Sequence, residues 1–159
     1  MGKFAYDGKT RVAFVTTIAA PISTPSPTEI AAGTDLSPYI TKSGLSTPSN
    51  QNMVASGALA ETFDAEVPGT FGGPIELTMF RDRPDDDAWN LFTFGTEGFI
   101  VIRYGVLSET AFTAGDDVEV YSFQTHEPIM TPPASNENAT FKVMCAVTGQ
   151  PELHAVVTA

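Results

Sequence analysis

The sequence predicts a mainly β fold, an antiparallel β-sandwich or barrel with one short flanking α-helix. Three observations support this fold class. Twelve prolines and 13 glycines divide the 159 residues into short segments. Several of these segments alternate apolar and polar residues with the two-residue period of a strand that is buried on one face. The helical patterns in the sequence are short, which favours strands joined by turns over a helical architecture.

The composition predicts a single domain over residues 1–159 with a core of its own. Forty-two per cent of the residues are apolar, and a chain of this length can bury roughly 68–70% of the surface that its unfolded form exposes. The only cysteine, Cys145, excludes an internal disulfide and lies in an apolar run, as a buried thiol would. Every apolar run is shorter than the roughly 18 residues that a membrane-spanning helix needs, so we expect no membrane insertion.

The charge limits the classes of partner. Nineteen acidic and eight basic residues give a formal net charge of −11. Proteins that wrap nucleic acid or adhere to anionic membranes need clustered Lys and Arg, so this balance argues against both classes. It leaves open a surface that repels DNA without binding it.

The first part of the chain predicts two strands separated by irregular structure. Residues 1–10 are polar and are expected to form an N-terminal arm. Residues 11–18 alternate as a first strand. The prolines of residues 21–27 forbid regular structure. Residues 28–33 are small and predict at most one helical turn, and residues 35–41 predict a short edge strand because Pro38 cannot donate to a ladder.

Residues 42–73 predict an extended loop. They are rich in Ser, Thr, Asn, Gly and Ala, and they hold too few large apolar residues to fill a core. They are nevertheless too apolar for a disordered linker. A loop of this length is usually functional, so we expect this one to dock on a partner or on a second copy of the chain. The alternative is a β-hairpin that lies on the same domain.

The central stretch, residues 72–105, predicts a strand, a short helix and a second strand. Residues 74–80 place Ile75, Leu77 and Met79 on one face and the other side chains opposite. Three consecutive acids then offer helix N-caps for a helix of about two to three turns; they are Asp85, Asp86 and Asp87. Gly95 and Gly98 are read as turn residues. Residues 99–104 form the most strongly β-forming run, and the core is expected to include Ile75, Leu77, Leu91, Phe92, Ile100 and Ile102.

The last third predicts three more strands, over residues 117–123, 139–148 and 152–158. The first alternates Val118 and Val120 with Glu119, Tyr121 and Phe123 on the opposite face. The second places Phe141, Val143, Cys145 and Val147 inward, and Thr140, Lys142 and Met144 outward. The total is six to eight strands.

Motifs for catalysis and for metal binding are missing from the sequence. The two histidines, His126 and His154, form no metal-binding pair. The three aspartates lack the alternate spacing of a calcium loop. Residues 69–73 are rich in glycine but are followed by a strand instead of the Lys-Ser/Thr and helix of a phosphate-binding loop. We therefore expect no enzyme activity, no cofactor and no metal, and interpret the aspartates as helix N-caps.

Six segments resemble, in order and spacing, the major tail tube proteins of long-tailed bacteriophages, particularly those of actinobacterial hosts. They are residues 35–45, 71–82, 87–92, 98–105, 114–121 and 141–155. The likeness covers residues 10–159. It implies a structural virion protein, made in the host cytoplasm, whose homohexameric rings stack into the tail tube. The implied partners are further copies of the chain, a tape-measure protein, tail terminator and distal tail proteins, and double-stranded DNA that passes through the lumen without specific binding.

The resemblance also implies roles for individual residues. Residues 42–73 would be a loop that locks successive rings, with contacts from Asn52, Met53, Val54, Leu59, Phe63 and Phe71. The lumen-facing candidates are Glu76, Thr78, Glu119, Thr140 and Lys142. A negative lumen would keep DNA moving, because attraction at every ring would add up to trapping; Lys142 argues against a purely negative lining. Asp85, Asp86 and Asp87 are candidates for a subunit contact or a helix cap.

Three alternatives stay open at this point. The first is the inner tube of a contractile tail or of a secretion system, and the second is a neck or tail terminator protein. The third is a carbohydrate-binding β-sandwich, which would need exposed aromatic residues in a groove. The candidates for that role are Trp89, Tyr104 and Tyr121.

Overall fold

The computed structural model describes residues 1–19 and 21–159, and in them the chain forms eleven strands and two short helices. The strands are β1 (Thr10–Val15), β2 (Thr34–Asp35), β3 (Ile40–Ser46), β4 (Asn50–Ala55), β5 (Glu66–Gly72), β6 (Ile75–Phe80), β7 (Glu97–Tyr104), β8 (Asp117–Thr125), β9 (Ile129–Met130), β10 (Thr140–Val147) and β11 (Glu152–Val156). The helices are α1 (Pro27–Ala31) and α2 (Asp87–Leu91).

Nine strands form one antiparallel sheet in the order β2-β1-β7-β8-β10-β6-β3, with β11 beside β8 and β9 beside β10. Strands β4 and β5 form a separate hairpin. The prediction of a mainly β, antiparallel fold is therefore confirmed. The prediction of one helix is too low, because α1 is present as well. Helix α2 has five residues, under two turns at about 3.6 residues per turn, so the predicted length was too great.

A first core lies on one face of the sheet and draws side chains from β1, β6, β7, β8 and β10. Three rings pack edge to face at its centre: Phe14 lies 5.4 Å from Phe92 and 5.6 Å from Phe123. The residues predicted as core lie here, with Leu91 only partly buried against it. The sheet therefore curves around this cluster, since strands from both of its ends contribute to it.

A second core lies on the opposite face, but only behind β1, β7 and β8. Ala13, Val15, Val101, Val118 and Val120 pack there against α1 and the end of the chain. These central strands are therefore buried on both faces, whereas β6 and β10 bury only one. Both faces of β1 are buried, because Val12 and Phe14 lie in the first core and Ala13 and Val15 in the second. Tyr121 and Phe123 of β8 likewise lie in the first core.

Helix α1 closes the second core through Ile30. Its start is fixed by a capping box: Glu29 N donates to Ser26 Oγ (3.2 Å), and Ser26 N donates to Glu29 Oε2 (3.0 Å). Pro27 at the first turn has the φ that a helix requires. The Ser-Pro-Thr-Glu spacing of residues 26–29 is the signal in the sequence that the prediction of a mere turn overlooked.

Gly98 lies inside β7 and not at a turn, contrary to the prediction. A Cβ at this position would meet the Phe14 ring at 2.6 Å and the Val15 carbonyl oxygen at 2.9 Å. Only glycine lets β1 and β7 approach this closely. Gly95, by contrast, has a φ of +82° and does serve as a turn residue.

The stretch predicted as one extended loop, residues 42–73, is in the structure the end of β3 followed by β4 and β5. The sequence of β4 and β5 lacks the alternation of apolar and polar residues that predicts a strand, because a strand shows this alternation only where one of its faces is covered. The N-terminal arm has no strand before Thr10, but it contacts the sheet, because Phe4 lies against Gly105 and Tyr6 packs edge-on against Tyr104 (5.5 Å).

Candidate functional site

The β4–β5 hairpin is the most exposed part of the molecule. Every residue from 49 to 64 is exposed, and Leu59 and Phe63 show 106% and 77% of their surface to solvent. Backbone pairing from Asn50 with Gly72 to Ala55 with Glu66 holds it. At the tip, Ser56 N donates to the Ala65 carbonyl (2.8 Å). The hairpin is thus ordered by its own bonds and lacks buried side chains, so it does not lie on its own domain.

The hairpin combines an apolar surface with negative charge. Its large apolar side chains are more than half exposed except for Val67, at 48%; they are Met53, Val54, Leu59, Phe63, Val67 and Phe71. The charged residues of the same segment are all acidic, Glu61, Asp64 and Glu66. Asn52 points its amide to Thr70 Oγ1 within the hairpin (3.0 Å). An isolated two-stranded hairpin is marginal in water, and an exposed apolar patch of this kind is typical of an interaction site.

Four of the five lumen-facing candidates lie together on the outer face of β6 and β10. In the register of these strands Thr78 is opposite Lys142, Phe80 is opposite Thr140, and Glu76 is opposite Met144. This face is turned away from the first core, because Ile75, Leu77 and Met79 alternate with it. It holds one acid and one base, so it is close to neutral.

Glu119 lies on the other face of the sheet. It is opposite Ile102 of the first core in the β7–β8 register, and Tyr121 Oη donates a hydrogen bond to its Oε2 (2.9 Å). Burial, followed by the Glu119 carboxylate, raises the pKa of the Tyr121 phenol. Glu76 and Glu119 therefore cannot line the same surface of one sheet.

The three aspartates have separate roles. Asp86 occupies the N-cap position of α2, but its φ is +51° and its side chain does not cap the helix. Its carboxylate instead accepts from Arg81 Nε (2.9 Å) and Nη2 (3.2 Å), and this pairing lowers the pKa of Asp86. Asp87 accepts from Tyr39 Oη (3.3 Å). The carboxylate of Asp85 is exposed.

The three aromatic candidates for carbohydrate binding lie in or against the first core and do not form an exposed aromatic groove. Trp89 packs edge-on against Phe141 (5.1 Å) and carries the Arg81 guanidinium on its ring (4.6 Å). Tyr121 is 3% exposed. Tyr104 lines a groove of about 780 Å³, in which the ring of Tyr6 is inclined at 73° to its own. The aromatic stacking platform of a sugar site is not formed by these residues.

Within the described residues, no cluster of three or more His, Cys, Asp or Glu side chains is placed to hold a metal ion. Neither of the described helices is long and apolar enough to cross a membrane.

Cys145 is fully buried in the first core, and burial raises the pKa of its thiol to about 12. Because the thiolate is the reactive form, we expect iodoacetamide at mildly alkaline pH to leave the native protein unmodified and to label one site per chain in denaturant. Mass spectrometry measures this. A Ser43→Cys variant, with its new thiol on an exposed position, is the positive control. Rapid labelling of native Cys145 would contradict the placement.

Arg103 is the residue that sequence reasoning missed. Its guanidinium, 1% exposed, donates to the carbonyls of Thr110 (2.6 Å), Ala111 (2.9 Å) and Leu107 (3.1 Å) and to Asp116 Oδ2 (2.8 Å). It lies 4.8 Å from the Phe112 ring centre. It therefore ties Leu107, Thr110, Ala111 and Asp116 of the β7–β8 connection to β7. The available signal was one arginine inside an otherwise apolar strand, residues 99–104.

Comparison with known proteins identifies a family and a solved structure with a similar fold. A family model described as phage tail tube protein matches residues 1–159. No curated protein matches the chain. A similar solved chain belongs to the anti-feeding prophage baseplate, a cryo-electron microscopy structure symmetrised six-fold. It aligns with a TM-score of 0.63 and 11% identity, over 98% of each chain. At this identity the likeness shows a shared fold.

Proposed function

The chain belongs to the phage tail tube protein family, and from that premise we propose that it assembles as hexameric rings that stack into the tube of a virion tail and conduct double-stranded DNA to the host. Membership of the family makes it a structural component of a phage tail, which implies a role without catalysis. The six-fold baseplate that holds a chain of the same fold supports hexameric symmetry.

The observation that carries the proposal is the ordered but uncovered hairpin. Residues 49–64 of this hairpin are all exposed, and Leu59 and Phe63 lie near its tip. Such an apolar surface needs a partner surface that covers it. In a stack of identical rings, the adjacent ring supplies that surface at every level. We therefore assign the predicted inter-ring contact to the β4–β5 hairpin.

Electron microscopy and sedimentation of the purified chain at rising concentration test the proposal. Rings and tubes that lengthen with concentration are expected. A chain that stays monomeric at all concentrations, with its fold intact by circular dichroism, would refute the proposal.

The lumen in this proposal is the outer face of β6 and β10. It presents Glu76, Thr78, Thr140 and Lys142, and it excludes Glu119, which lies on the other face. A nearly neutral lining suits the passage of DNA, because strong attraction at each ring would accumulate along the tube. Before DNA enters, the same face would surround the tape-measure protein.

We expect cysteines at Thr78 and Thr140 to become protected on assembly. In monomers, Thr78→Cys and Thr140→Cys should react with a polyethylene-glycol maleimide that is too large to enter the tube, and in tubes they should not. Leu153→Cys, on an exposed position of β11, is the control that should label in both states. Equal labelling of Thr140→Cys in monomers and tubes would place this face outside the lumen.

The finer assignment rests on the six resembling segments. From them we propose a long, flexible tail of a phage with an actinobacterial host, with the chain made in the host cytoplasm. Terminator and distal proteins would bind the two ends of the tube. Because Asp86 is buried and pairs with Arg81, whereas Asp85 and Asp87 are exposed, only Asp85 and Asp87 stay as candidates for subunit contacts.

A second candidate function is a baseplate or terminal ring of a tail, because the similar solved chain comes from a baseplate. The two differ in growth. A tube subunit polymerises without limit, whereas a terminal ring stops at a fixed size, and sedimentation separates the two outcomes.

A further inference from the structure

The charged side chains of the β4–β5 hairpin all have the same sign. Residues 47–73 contain Glu61, Asp64 and Glu66, here called the hairpin acids, and contain no Lys or Arg. All three hairpin acids are exposed. In sequence, Glu61 lies between the exposed apolar residues Leu59 and Phe63, and Asp64 follows directly. A second copy that covers these apolar side chains therefore also meets the three carboxylates.

The fold of the hairpin needs an oxygen acceptor at one of these positions and a charge at none of them. Ala58 N donates to Glu61 Oε2 (2.9 Å) at the tip of the hairpin, and an amide oxygen could accept the same bond. Within the described residues, the carboxylates of Asp64 and Glu66 make no hydrogen bond and no ion pair, and Glu66 pairs with Ala55 through its backbone. The charge of the hairpin acids is therefore free to act on whatever the hairpin contacts.

A second copy of the chain offers few bases to these acids. Of the eight Lys and Arg residues, five form ion pairs of 2.8–3.9 Å inside their own chain: Arg11, Lys42, Arg81, Arg83 and Arg103. In the part of the chain that the structure describes, Lys3, Lys9 and Lys142 remain without an ion pair. Those pairs use only four of the 19 acidic residues. The surface that one copy presents to another is therefore strongly negative.

We propose that the hairpin acids oppose the contact that the apolar side chains of the same hairpin make, and thereby keep single chains apart. This inference rests on the proposed self-assembly through the hairpin and adds how that assembly is restrained. A net charge far from zero keeps proteins soluble and monomeric. Charged residues beside exposed apolar strands prevent unwanted pairing. A chain that joins an existing ring gains several contacts at once, so it overcomes a repulsion that one hairpin between two chains does not.

The proposal fixes the direction of the salt dependence. Exposed charges act over about 30 Å at about 0.01 M salt and over about 10 Å at about 0.1 M. Because salt screens the repulsion, the concentration that the wild-type chain needs for assembly should fall between these two conditions. If the hairpin acids instead bound Lys3, Lys9 or Lys142 of a neighbouring copy, salt would screen an attraction and the required concentration would rise.

A chain with a neutral hairpin tests the proposal. The variant Glu61→Gln/Asp64→Asn/Glu66→Gln keeps the size of each side chain and an acceptor for Ala58 N. Sedimentation should show its assembly at a concentration roughly threefold to tenfold below that of the wild type at about 0.01 M salt, with a smaller difference at about 0.1 M. The melting temperature of the unassembled chain should stay within about 2 °C, because exposed positions tolerate substitution.

A matched variant separates the hairpin from the net charge of the chain. Glu109→Gln/Asp117→Asn/Glu137→Gln removes the same number of charges from exposed positions outside the hairpin. It should change the concentration needed for assembly by less than about twofold, because the charges that it removes are not at the apolar contact. Equal shifts in the two triple variants would assign the effect to net charge and overturn the role of the hairpin acids.

The outcomes distinguish this proposal from the proposed function. If the neutral hairpin needs the same or a higher concentration than the wild type, the hairpin acids do not oppose assembly, and the tube function still stands. Assembly of the neutral variant at concentrations where the wild type stays monomeric would support both proposals. If neither chain assembles at any salt concentration while both stay folded by circular dichroism, both proposals fail.

Discussion

Tubes of a Leu59→Ser/Phe63→Ser double variant are expected to be lost at concentrations where the wild-type chain forms them. Both side chains project from the hairpin and are 106% and 77% exposed in the single chain. Burying one large apolar side chain contributes about 1.5–3 kcal/mol. Losing two would weaken each ring-to-ring contact by about 3–6 kcal/mol, which is roughly a hundredfold or more in association.

The monomer fold should not change, since neither side chain touches the core. Sedimentation gives the concentration at which tubes form, and thermal unfolding reports the fold. A Val106→Ser/Leu107→Ser variant, altered at two exposed apolar residues outside the hairpin, is the matched control and should assemble normally. Tubes at the wild-type concentration from the hairpin variant would remove the hairpin from the ring contact. Rings without tubes would confirm that it joins rings and does not close them.

Arg103→Met is expected to destabilise the chain by about 3–5 kcal/mol, the usual cost of removing one partner of a buried ion pair. The substitution leaves three carbonyls and the Asp116 carboxylate without the guanidinium that they share. For a chain of this size, that loss corresponds to a fall in melting temperature of roughly 6–20 °C. Denaturant unfolding measures it directly.

Two variants make the Arg103 result interpretable. Arg103→Lys keeps the charge but not the planar fork, so an intermediate loss is expected. Arg83→Met removes an arginine that is 74% exposed and 3.5 Å from Asp86, and it should cost under about 1 kcal/mol. A loss below about 1 kcal/mol in Arg103→Met would show that the β7–β8 connection holds without the guanidinium.

The pairing of Arg103 with Asp116 makes the stability of the folded chain depend on pH, and the direction of that dependence can be stated. Burial alone would raise the pKa of Asp116, but hydrogen bonds from Thr113 N and Arg103 hold that pKa below its usual range. The pairing therefore stabilises the folded chain above the ordinary pKa of an aspartate, about 3.9, and this stability is lost as the pH falls through the lower folded value. In Arg103→Met this acid-sensitive part of the unfolding free energy should shrink.

The alternation of apolar and polar residues was sufficient to predict the core side chains of strands that bury only one face. Ile75, Leu77 and Met79 of β6, and Phe141, Val143 and Cys145 of β10, alternate with polar residues and were predicted as core. The order and spacing of whole segments were sufficient to predict the family, and the family match over residues 1–159 confirms that prediction. The capping box at Ser26 was also readable in the sequence, although it was overlooked.

Tertiary structure alone decided which surfaces meet. Alternation assigns side chains to two faces of a strand but does not say what covers each face, so the second core behind β1 and β8 was invisible. Alternation along single strands also could not show that Glu76 and Glu119 lie on opposite faces of the sheet, because their relative placement depends on the register between strands distant in sequence. The strands of the β4–β5 hairpin could not be predicted from the sequence for a different reason. Its strands have no covered face within the chain, and without burial a strand carries no apolar period.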